Sequence, residues 1–225
     1  MNALQRNALL QSVAFPVFLG VLLFVLAGSL AFWEAWVYCT VVFVCVLAIG
    51  VYFLRYDPRL VERRMRLSER GEQERSQRAI QRLAAAACLA MLIVAGLGYR
   101  FRWSVIPTYL VVVADALVVV GFLIVFRVFQ ENSFASSVIE VEAGQPVVSA
   151  GPYAVVRHPM YAGASLAILA TPLALGSWWA LACAGLVVAL IVARLLDEER
   201  VLAHDLLGYR EYCQRTRYRL LPGLW

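Results

Sequence analysis

The sequence predicts an all-α integral membrane protein with about six transmembrane helices, within a range of five to seven. Of its 225 residues, 62% are hydrophobic and only 16% are charged, whereas an ordinary globular domain is nearer half apolar and a quarter charged. A globule of this length cannot bury so much apolar surface, so the bilayer is the expected solvent. The same composition argues against a disordered chain, which would be poor in apolar residues.

Six apolar stretches have roughly the length that a membrane-crossing helix requires. We predict spans at about 13–32, 35–54, 83–99, 105–127, 160–176 and 177–196. Tight turns at Trp33-Glu34 and at Gly176–Trp179 join the first two and the last two spans into hairpins, with tryptophans where an interfacial aromatic belt is expected. The fifth span is short and contains Pro172, so it either crosses the bilayer or dips into it.

All positive side chains apart from histidine are arginines, and their distribution predicts the orientation of the spans. With the N-terminus inside, 18 of the 20 arginines lie on the cytoplasmic side and only Arg100 and Arg102 lie outside. Nine of them fall in the segment 55–82, which we expect to form a helix in solvent or among lipid headgroups. The net charge of +5 is therefore interpreted as membrane anchoring, with the lipid bilayer as a partner and no nucleic acid.

Several chemistries are disfavoured by composition. The chain contains no lysine, which excludes a Walker-type phosphate loop and a lysine Schiff base. It has two histidines and five cysteines without a CxxC pair, so we predict no metal site and interpret the cysteines as small packing residues.

We divide the chain into an N-terminal region, 1–128, holding the first transmembrane helices and the arginine-rich loop 55–82, and a C-terminal region, 129–225, holding a loop, a helical hairpin and a tail. Residues 138–163 read VIEVEAGQPVVSAGPYAVVRHPMYAG. The alternation over 138–148 predicts a short hairpin or an extended loop. Polar side chains then follow at the start of the fifth span.

Pro159 biases His158 towards an extended conformation and suits the first turn of a helix. Arg157, His158 and two tyrosines, Tyr153 and Tyr161, thus lie near a helix N-terminus, where a carboxylate or another acceptor-rich ligand is favoured. The alternative is structural, because arginine, histidine and tyrosine are all common at membrane interfaces.

A second polar cluster follows the sixth span. Arg194 and Glu198 are four residues apart and can pair on one helix face. Asp197, Glu198 and Glu199 place three acids near a helix C-terminus, where they oppose the macrodipole. Neighbouring arginines or a ligand with positive charge would compensate them.

The run GPYxxVRHPxYxG, followed about 35 residues later by Glu-Glu and then by Tyr-x-x-Tyr and an RYRLLPG end, resembles the isoprenylcysteine carboxyl methyltransferase family, especially its bacterial members. The resemblance covers about residues 130–225. It implies S-adenosylmethionine as the methyl donor, bound on the cytoplasmic side between the loop and the C-terminal tail, in a protein of the bacterial inner membrane. The implied acceptor is lipidic or membrane-delivered, for example the carboxylate of a prenylated cysteine in a small molecule or protein.

The resemblance also implies site residues. Arg194 and His158 are the catalytic candidates, and Arg194 lies on the substrate side if Glu198 is the matching acid. Which of Glu198 and Glu199 contacts the cofactor is left open by one position of alignment. The other expected cofactor contacts are Gln145, Pro146, Val147, Val148, Tyr153, Arg157, Pro159, Met160, Tyr161, Gly163 and Tyr212, together with His158 itself.

Two alternative functions remain. A membrane reductase using NADPH is the first, because steroid-reductase-like proteins have a similar HPxYxG-like run and a final Tyr-x-x-Tyr. A transporter or lipid-binding scaffold is the second, supported by the intramembrane carboxylate of Asp115. Oligomeric state is not indicated by the sequence.

Overall fold

The computed structural model describes residues 3–70, 75–134 and 145–225, and within these ranges it is helical with no strand. The predicted all-α architecture is therefore confirmed. A 3₁₀ turn at Gly151–Ala154 precedes the sixth helix. The described residues form eight α-helices, which are α1 (Ala3–Ala27), α2 (Trp33–Tyr56), α3 (Pro58–Arg70), α4 (Arg75–Arg100), α5 (Thr108–Glu131), α6 (Pro159–Ala174), α7 (Ala180–Asp205) and α8 (Tyr209–Arg215).

Five of these helices, α1, α2, α4, α5 and α7, are long and apolar enough to cross a membrane. The sixth apolar helix, α6, has 16 residues, which gives about 24 Å against a hydrocarbon core of about 30 Å. The apolar side chains Phe18, Val25 and Leu186 are 60%, 69% and 54% exposed. Exposed side chains of this kind on long helices are what a lipid-facing surface requires, and the count lies within the predicted range of five to seven.

The helices extend beyond the apolar stretches that predicted them. Helix α4 begins at Arg75 rather than near residue 83, and α7 ends at Asp205 rather than near residue 196. Hydropathy detects only the part of a helix that suits lipid, whereas the backbone hydrogen bonds continue through polar residues. These polar extensions of α4 and α7 carry several of the side chains of the candidate site.

Two glycines make the helical hairpins possible. Gly28 follows α1 and Gly176 follows α6, with φ of +64° and +68°, a left-handed conformation that strongly favours glycine at helix ends. Both hairpins turn at the same end of the bundle as Trp103, whose carbonyl accepts a hydrogen bond from Trp179 Nε1 at 3.3 Å. We call this the tryptophan end.

The opposite end of the bundle, which we call the polar end, gathers the remaining charged segments. Arg63 of α3 donates to the carbonyl of Ser133 at 2.6 Å, and its guanidinium lies 4.5 Å from the ring centroid of Phe134. Arg64 stacks in the same way on Phe129. The segment 55–82 is thus helical as predicted within its described part, but α3 also packs on the end of α5 instead of lying free among headgroups.

Helices α5 and α6 approach each other very closely. A Cβ atom added to Gly121 would lie 2.6 Å from the carbonyl oxygen of Gly163, and one added to Gly163 would lie 2.8 Å from the carbonyl oxygen of Gly121. This glycine contact sets the start of α6 beside the end of α5. It therefore determines where the His158–Pro159 turn lies.

Asp115 is buried within α5, with 6% of its surface exposed. Neither carboxylate oxygen has a hydrogen-bond partner among the described residues. Its neighbourhood includes the hydroxyl pair of Tyr38 and Thr171, whose oxygens lie 3.0 Å apart. These residues lie towards the tryptophan end, away from the polar cluster.

Candidate functional site

A cleft opens at the polar end, between the end of α5, the segment leading into α6, the end of α7 and the short helix α8. It brings together segments that are distant in sequence. Among the described residues it is lined by Asn132, Phe134, Gln145, Pro146, Val147, Val148, Tyr153, Arg157, His158, Pro159, Met160, Tyr161, Glu198, Leu202, Leu206, Tyr209 and Tyr212.

The N-terminus of α6 forms one wall of the cleft. As predicted, Pro159 occupies the first turn. His158 is the N-cap residue, but its ψ of 62° at a φ of −124° falls short of the extended range that a following proline favours. The first intrahelical bond that reaches back to His158 is donated by the N–H of Ala162, at 3.1 Å. The N–H groups of Met160 and Tyr161 belong to the first turn, which has no intrahelical acceptors. Together with the helix dipole, they make this wall suited to an anionic ligand group.

The C-terminal tail fixes the approach to α6. The backbone N–H of Arg157 donates to the carbonyl of Tyr218 at 2.8 Å, and that of His158 donates to the carbonyl of Arg219 at 3.0 Å. Because these two donors are satisfied by the tail, the turn before α6 is held in a single orientation.

Glu199 is surrounded by positively charged or protonatable groups. Its Oε1 lies 3.2 Å from Arg157 Nε and 3.3 Å from His158 Nε2, and its Oε2 accepts from Arg219 Nε at 2.7 Å. The Glu199 side chain is only 12% exposed and does not line the cleft. Its carboxylate therefore links α7 to the turn before α6 and to the C-terminal tail through these ionic contacts.

Glu198 is placed differently, because it faces the cleft. The hydroxyl of Tyr161 donates to Glu198 Oε2 at 2.5 Å, and the same hydroxyl accepts from Arg194 Nε at 3.1 Å. The predicted proximity of Arg194 and Glu198 is thus realised through Tyr161. Of the two acids that the sequence left open, Glu198 is the one that lines the cleft.

Tyr153 closes the side of the cleft nearest α5. Its hydroxyl accepts from Asn132 Nδ2 at 2.9 Å, and its carbonyl accepts from the hydroxyl of Tyr212 at 2.7 Å. Burial raises the pKa of Tyr153 to about 12, although the hydrogen bond from Asn132 works in the opposite direction. Burial likewise raises the pKa values of Tyr209 and Tyr212. All three tyrosines are therefore neutral at physiological pH.

Most of the residues expected at the site line this cleft, but three do not. Gly163 was expected as a cofactor contact and instead lies against Gly121 in the α5–α6 contact, where close backbone packing explains the glycine. Glu199 is held in the ionic cluster, and Arg194 reaches the cleft only through Tyr161. The predicted hairpin or loop at 138–148 is described only from residue 145, where the chain forms neither helix nor strand. Residues 138–144 lie outside the described part.

Five further described residues line the cleft that were not among the expected contacts. Leu202 lies four residues after Glu198 on the same face of α7, a signal that could have been used once α7 was known to extend so far. Leu206 is the C-cap residue that follows the helix. Tyr209 was noted in the sequence as part of the Tyr-x-x-Tyr pattern and contributes with Tyr212. Asn132 and Phe134 carry no motif and enter the site through the end of α5.

The family model of the phospholipid methyltransferases matches residues 109–206, somewhat less than half of the chain. This family contains the isoprenylcysteine carboxyl methyltransferases, so the resemblance inferred from the motifs is confirmed at that level. The match runs from the start of α5 to just beyond α7. It includes the N-terminus of α6 and Glu198, which face each other in the cleft, but not Tyr209 and Tyr212 of α8. No curated protein matches the chain significantly.

Proposed function

We propose, with the family match of residues 109–206 as the premise, that this protein is a membrane-embedded methyltransferase that uses S-adenosylmethionine and acts on a lipidic or membrane-delivered acceptor. The observation that carries the proposal is the meeting of two distant motifs in one cleft. The N-terminus of α6 and the carboxylate of Glu198 face the same space, joined by the 2.5 Å hydrogen bond from Tyr161. Such a site offers both anion-binding and cation-binding groups to one small molecule.

The groups in the cleft fit S-adenosylmethionine in their chemistry. The N–H groups of Met160 and Tyr161 suit its carboxylate, and Glu198 suits either its ammonium group or its ribose hydroxyls. Leu202, Leu206 and aromatic rings provide an apolar surface for a base. The bound cofactor would supply an electrophilic methyl group attached to a positively charged sulfur. The protein's part is to hold the reactants in line and to exclude water.

An acceptor carboxylate agrees best with these side chains. A carboxylate is already ionised at neutral pH and needs no general base, whereas an amine or thiol must lose a proton. His158 is the nearest candidate base, but its Nε2 lies 3.3 Å from Glu199 Oε1 and 3.5 Å from the hydroxyl of Tyr209. Arg194 can attract a carboxylate and orient it, because a guanidinium forms directional hydrogen bonds to that group. We therefore assign Arg194 to the acceptor side.

The arginine distribution supports a cytoplasmic location for the site. The polar end carries the charged ranges 55–70, 75–82 and 194–219, whereas Arg100 and Arg102 lie at the tryptophan end. By the positive-inside rule, the polar end faces the cytoplasm. In a bacterium this corresponds to the inner membrane, where S-adenosylmethionine is available on the same side.

The cofactor assignment is tested by thermal unfolding of the protein in detergent. We expect S-adenosylmethionine to raise the apparent melting temperature and NADPH to leave it unchanged. Glu198→Gln should abolish the shift, while the matched control Glu211→Gln, an exposed acid on α8, should keep it. Stabilisation by NADPH alone would overturn the methyltransferase proposal in favour of a reductase.

The acceptor class is tested with methyl-labelled cofactor and two probes in mixed micelles, N-acetyl-S-farnesylcysteine and phosphatidylethanolamine. A methyl ester releases labelled methanol on treatment with base, whereas an N-methyl group stays on the lipid. We expect base-labile label on the farnesylcysteine. Stable label on phosphatidylethanolamine alone would contradict the carboxylate acceptor but retain the methyltransferase activity.

A further inference from the structure

We infer that Gln77, in the first turn of α4, is a positioning residue that fixes the guanidinium of Arg194 for the acceptor. This inference rests on the proposed function for the role of Arg194, but the contacts that support it are independent of that proposal. Gln77 belongs to the N-terminal half of the chain, outside residues 109–206 that match the family. The site would then be completed by a helix that carries none of the recognisable motifs.

Gln77 bridges two charged side chains of α7. Its Oε1 accepts from Arg194 Nη1 at 3.1 Å, and its Nε2 donates to Asp197 Oδ2 at 2.6 Å. Because Arg194 Nε is bound to the hydroxyl of Tyr161 at 3.1 Å, the guanidinium is held from two directions. Its plane is therefore set jointly by α4 and α6.

The amide is chemically matched to this position. A guanidinium only donates hydrogen bonds and an ionised carboxylate only accepts them, so the residue between Arg194 and Asp197 must offer one acceptor and one donor. Glutamine provides both, and the charges on either side determine which way its amide is oriented. A leucine would remove one hydrogen bond from each charged partner, which would leave Arg194 held by Tyr161 alone of the two groups that direct it and Asp197 held by Arg200. An ionised glutamate would be repelled by Asp197.

Burial indicates that this contact is specific. Gln77 is 2% exposed, although glutamine is mostly a surface residue, and its neighbours Ser76 and Arg78 are both exposed. A purely structural tie between α4 and α7 could be made by apolar packing at lower desolvation cost. The polar bridge instead constrains the direction of the Arg194 guanidinium. That guanidinium is hydrogen-bonded to the hydroxyl of Tyr161, which in turn donates to Glu198 in the cleft.

If Gln77 positions Arg194, the effects of substituting these two residues on the rate of methyl transfer should not be additive. Displacing a positioning group by about 1 Å can cost on the order of 100-fold in rate, so we expect Gln77→Ala to lower kcat/KM for the methylated probe by about 10- to 100-fold. In an Arg194→Ala background, the same substitution should change kcat/KM by less than about threefold, because its target is already absent. Additive losses would show that Gln77 acts independently of Arg194, and would overturn the inference. Gln214→Ala, at an exposed glutamine on α8, is the matched control and should retain wild-type values.

The Gln77→Glu variant adds a pH readout. When protonated, the new carboxyl group offers a carbonyl to Arg194 and a hydroxyl to Asp197, which reproduces the amide pattern; when ionised, it cannot donate. We therefore expect the ratio of variant to wild-type kcat/KM to rise as pH falls. A ratio that is constant or that falls with decreasing pH contradicts the bridging role.

A chemical measurement separates this inference from the proposed function. Arg194 should react with p-hydroxyphenylglyoxal at least about threefold faster in Gln77→Ala than in the wild type, with modification measured by peptide mass spectrometry, because the guanidinium loses a hydrogen bond that directs it. An unchanged rate at Arg194 would overturn the positioning role even if methyl transfer is observed. Failure of S-adenosylmethionine to stabilise the wild-type protein would instead overturn the proposed methyltransferase function. The reaction rate of Arg194 with p-hydroxyphenylglyoxal would still decide whether Gln77 holds its guanidinium.

Discussion

Substitution of the two neighbouring glutamates should separate stability from ligand binding. Glu199 contacts Arg157, His158 and Arg219, whose side chains are 11%, 5% and 32% exposed. Removing one partner from a buried ionic contact typically costs about 3–5 kcal/mol. Glutamine keeps one acceptor oxygen, so for Glu199→Gln we take the lower end, about 3 kcal/mol.

This cost can be converted into a melting temperature. For a chain of 150–250 residues, each kcal/mol shifts the midpoint by roughly 2–4 °C. Glu199→Gln should therefore lower the apparent melting temperature in detergent, without ligand, by about 6–12 °C. Differential scanning fluorimetry measures this shift, and limited proteolysis should show earlier cleavage of the tail from residue 216 onwards, because the tail is held partly by Arg219.

Glu198→Gln is the matched control for the same measurement. Its oxygen accepts a hydrogen bond from the hydroxyl of Tyr161, and an amide oxygen can accept the same bond. We expect a loss below about 1 kcal/mol, or less than about 4 °C, together with loss of stabilisation by S-adenosylmethionine. A Glu199→Gln variant that melts within 3 °C of the wild type, or equal destabilisation of both variants, would contradict the stabilising ionic role of Glu199.

Three further predictions concern the helix contact, the buried phenol and the orientation. Gly121→Ala should sharply reduce the yield of monodisperse protein on size-exclusion chromatography, because its Cβ would lie 2.6 Å from the Gly163 carbonyl oxygen, whereas Gly185→Ala, with no atom within 4 Å, should be neutral; equal yields would exclude a close α5–α6 contact. The pKa of Tyr153 is raised to about 12 from about 10 when unfolded, so this group stabilises the fold fully below pH 10 and loses that contribution as pH rises towards 12. Tyr153→Phe should accordingly show a smaller fall in melting temperature between pH 10 and 12, and an unchanged pH profile would contradict the burial of this phenol. A green fluorescent protein fused to the C-terminus should fluoresce and an alkaline phosphatase fused there should be inactive, whereas the opposite pattern would place the polar end outside.

The sequence predicted the local features of the candidate site better than the contacts between residues that are distant in sequence. Pro159 lies in the first helical turn as expected, because a proline there loses no intrahelical hydrogen bond. The all-α membrane architecture was equally predictable, since long apolar runs report directly on the solvent of a helix. Both are short-range or compositional signals that one sequence contains in full.

Long-range pairings could not be predicted in the same way. Gln77 and Asp197 are separated by 120 positions, and nothing in the surrounding residues marks either as the partner of the other. The choice between Glu198 and Glu199 also required the structure, because adjacent residues on a helix differ in direction by about 100° and only the packing of α7 decides which one faces the cleft. Gly163 shows the converse problem, since a glycine within the recognised motif lies in the close contact of α5 and α6 and does not line the cleft.

The polar extensions of the membrane helices explain why these charges can meet at all. If α4 and α7 ended with their apolar stretches, Gln77 and Asp197 would lie on irregular chain that each loop could place independently. Because both helices continue to Arg75 and Asp205, the packing of their apolar parts also fixes the register of their polar ends. The packing of the long apolar helices thus orders a cleft at the polar end of the bundle, where the proposed methyl donor and the proposed membrane-delivered acceptor would meet the same few side chains.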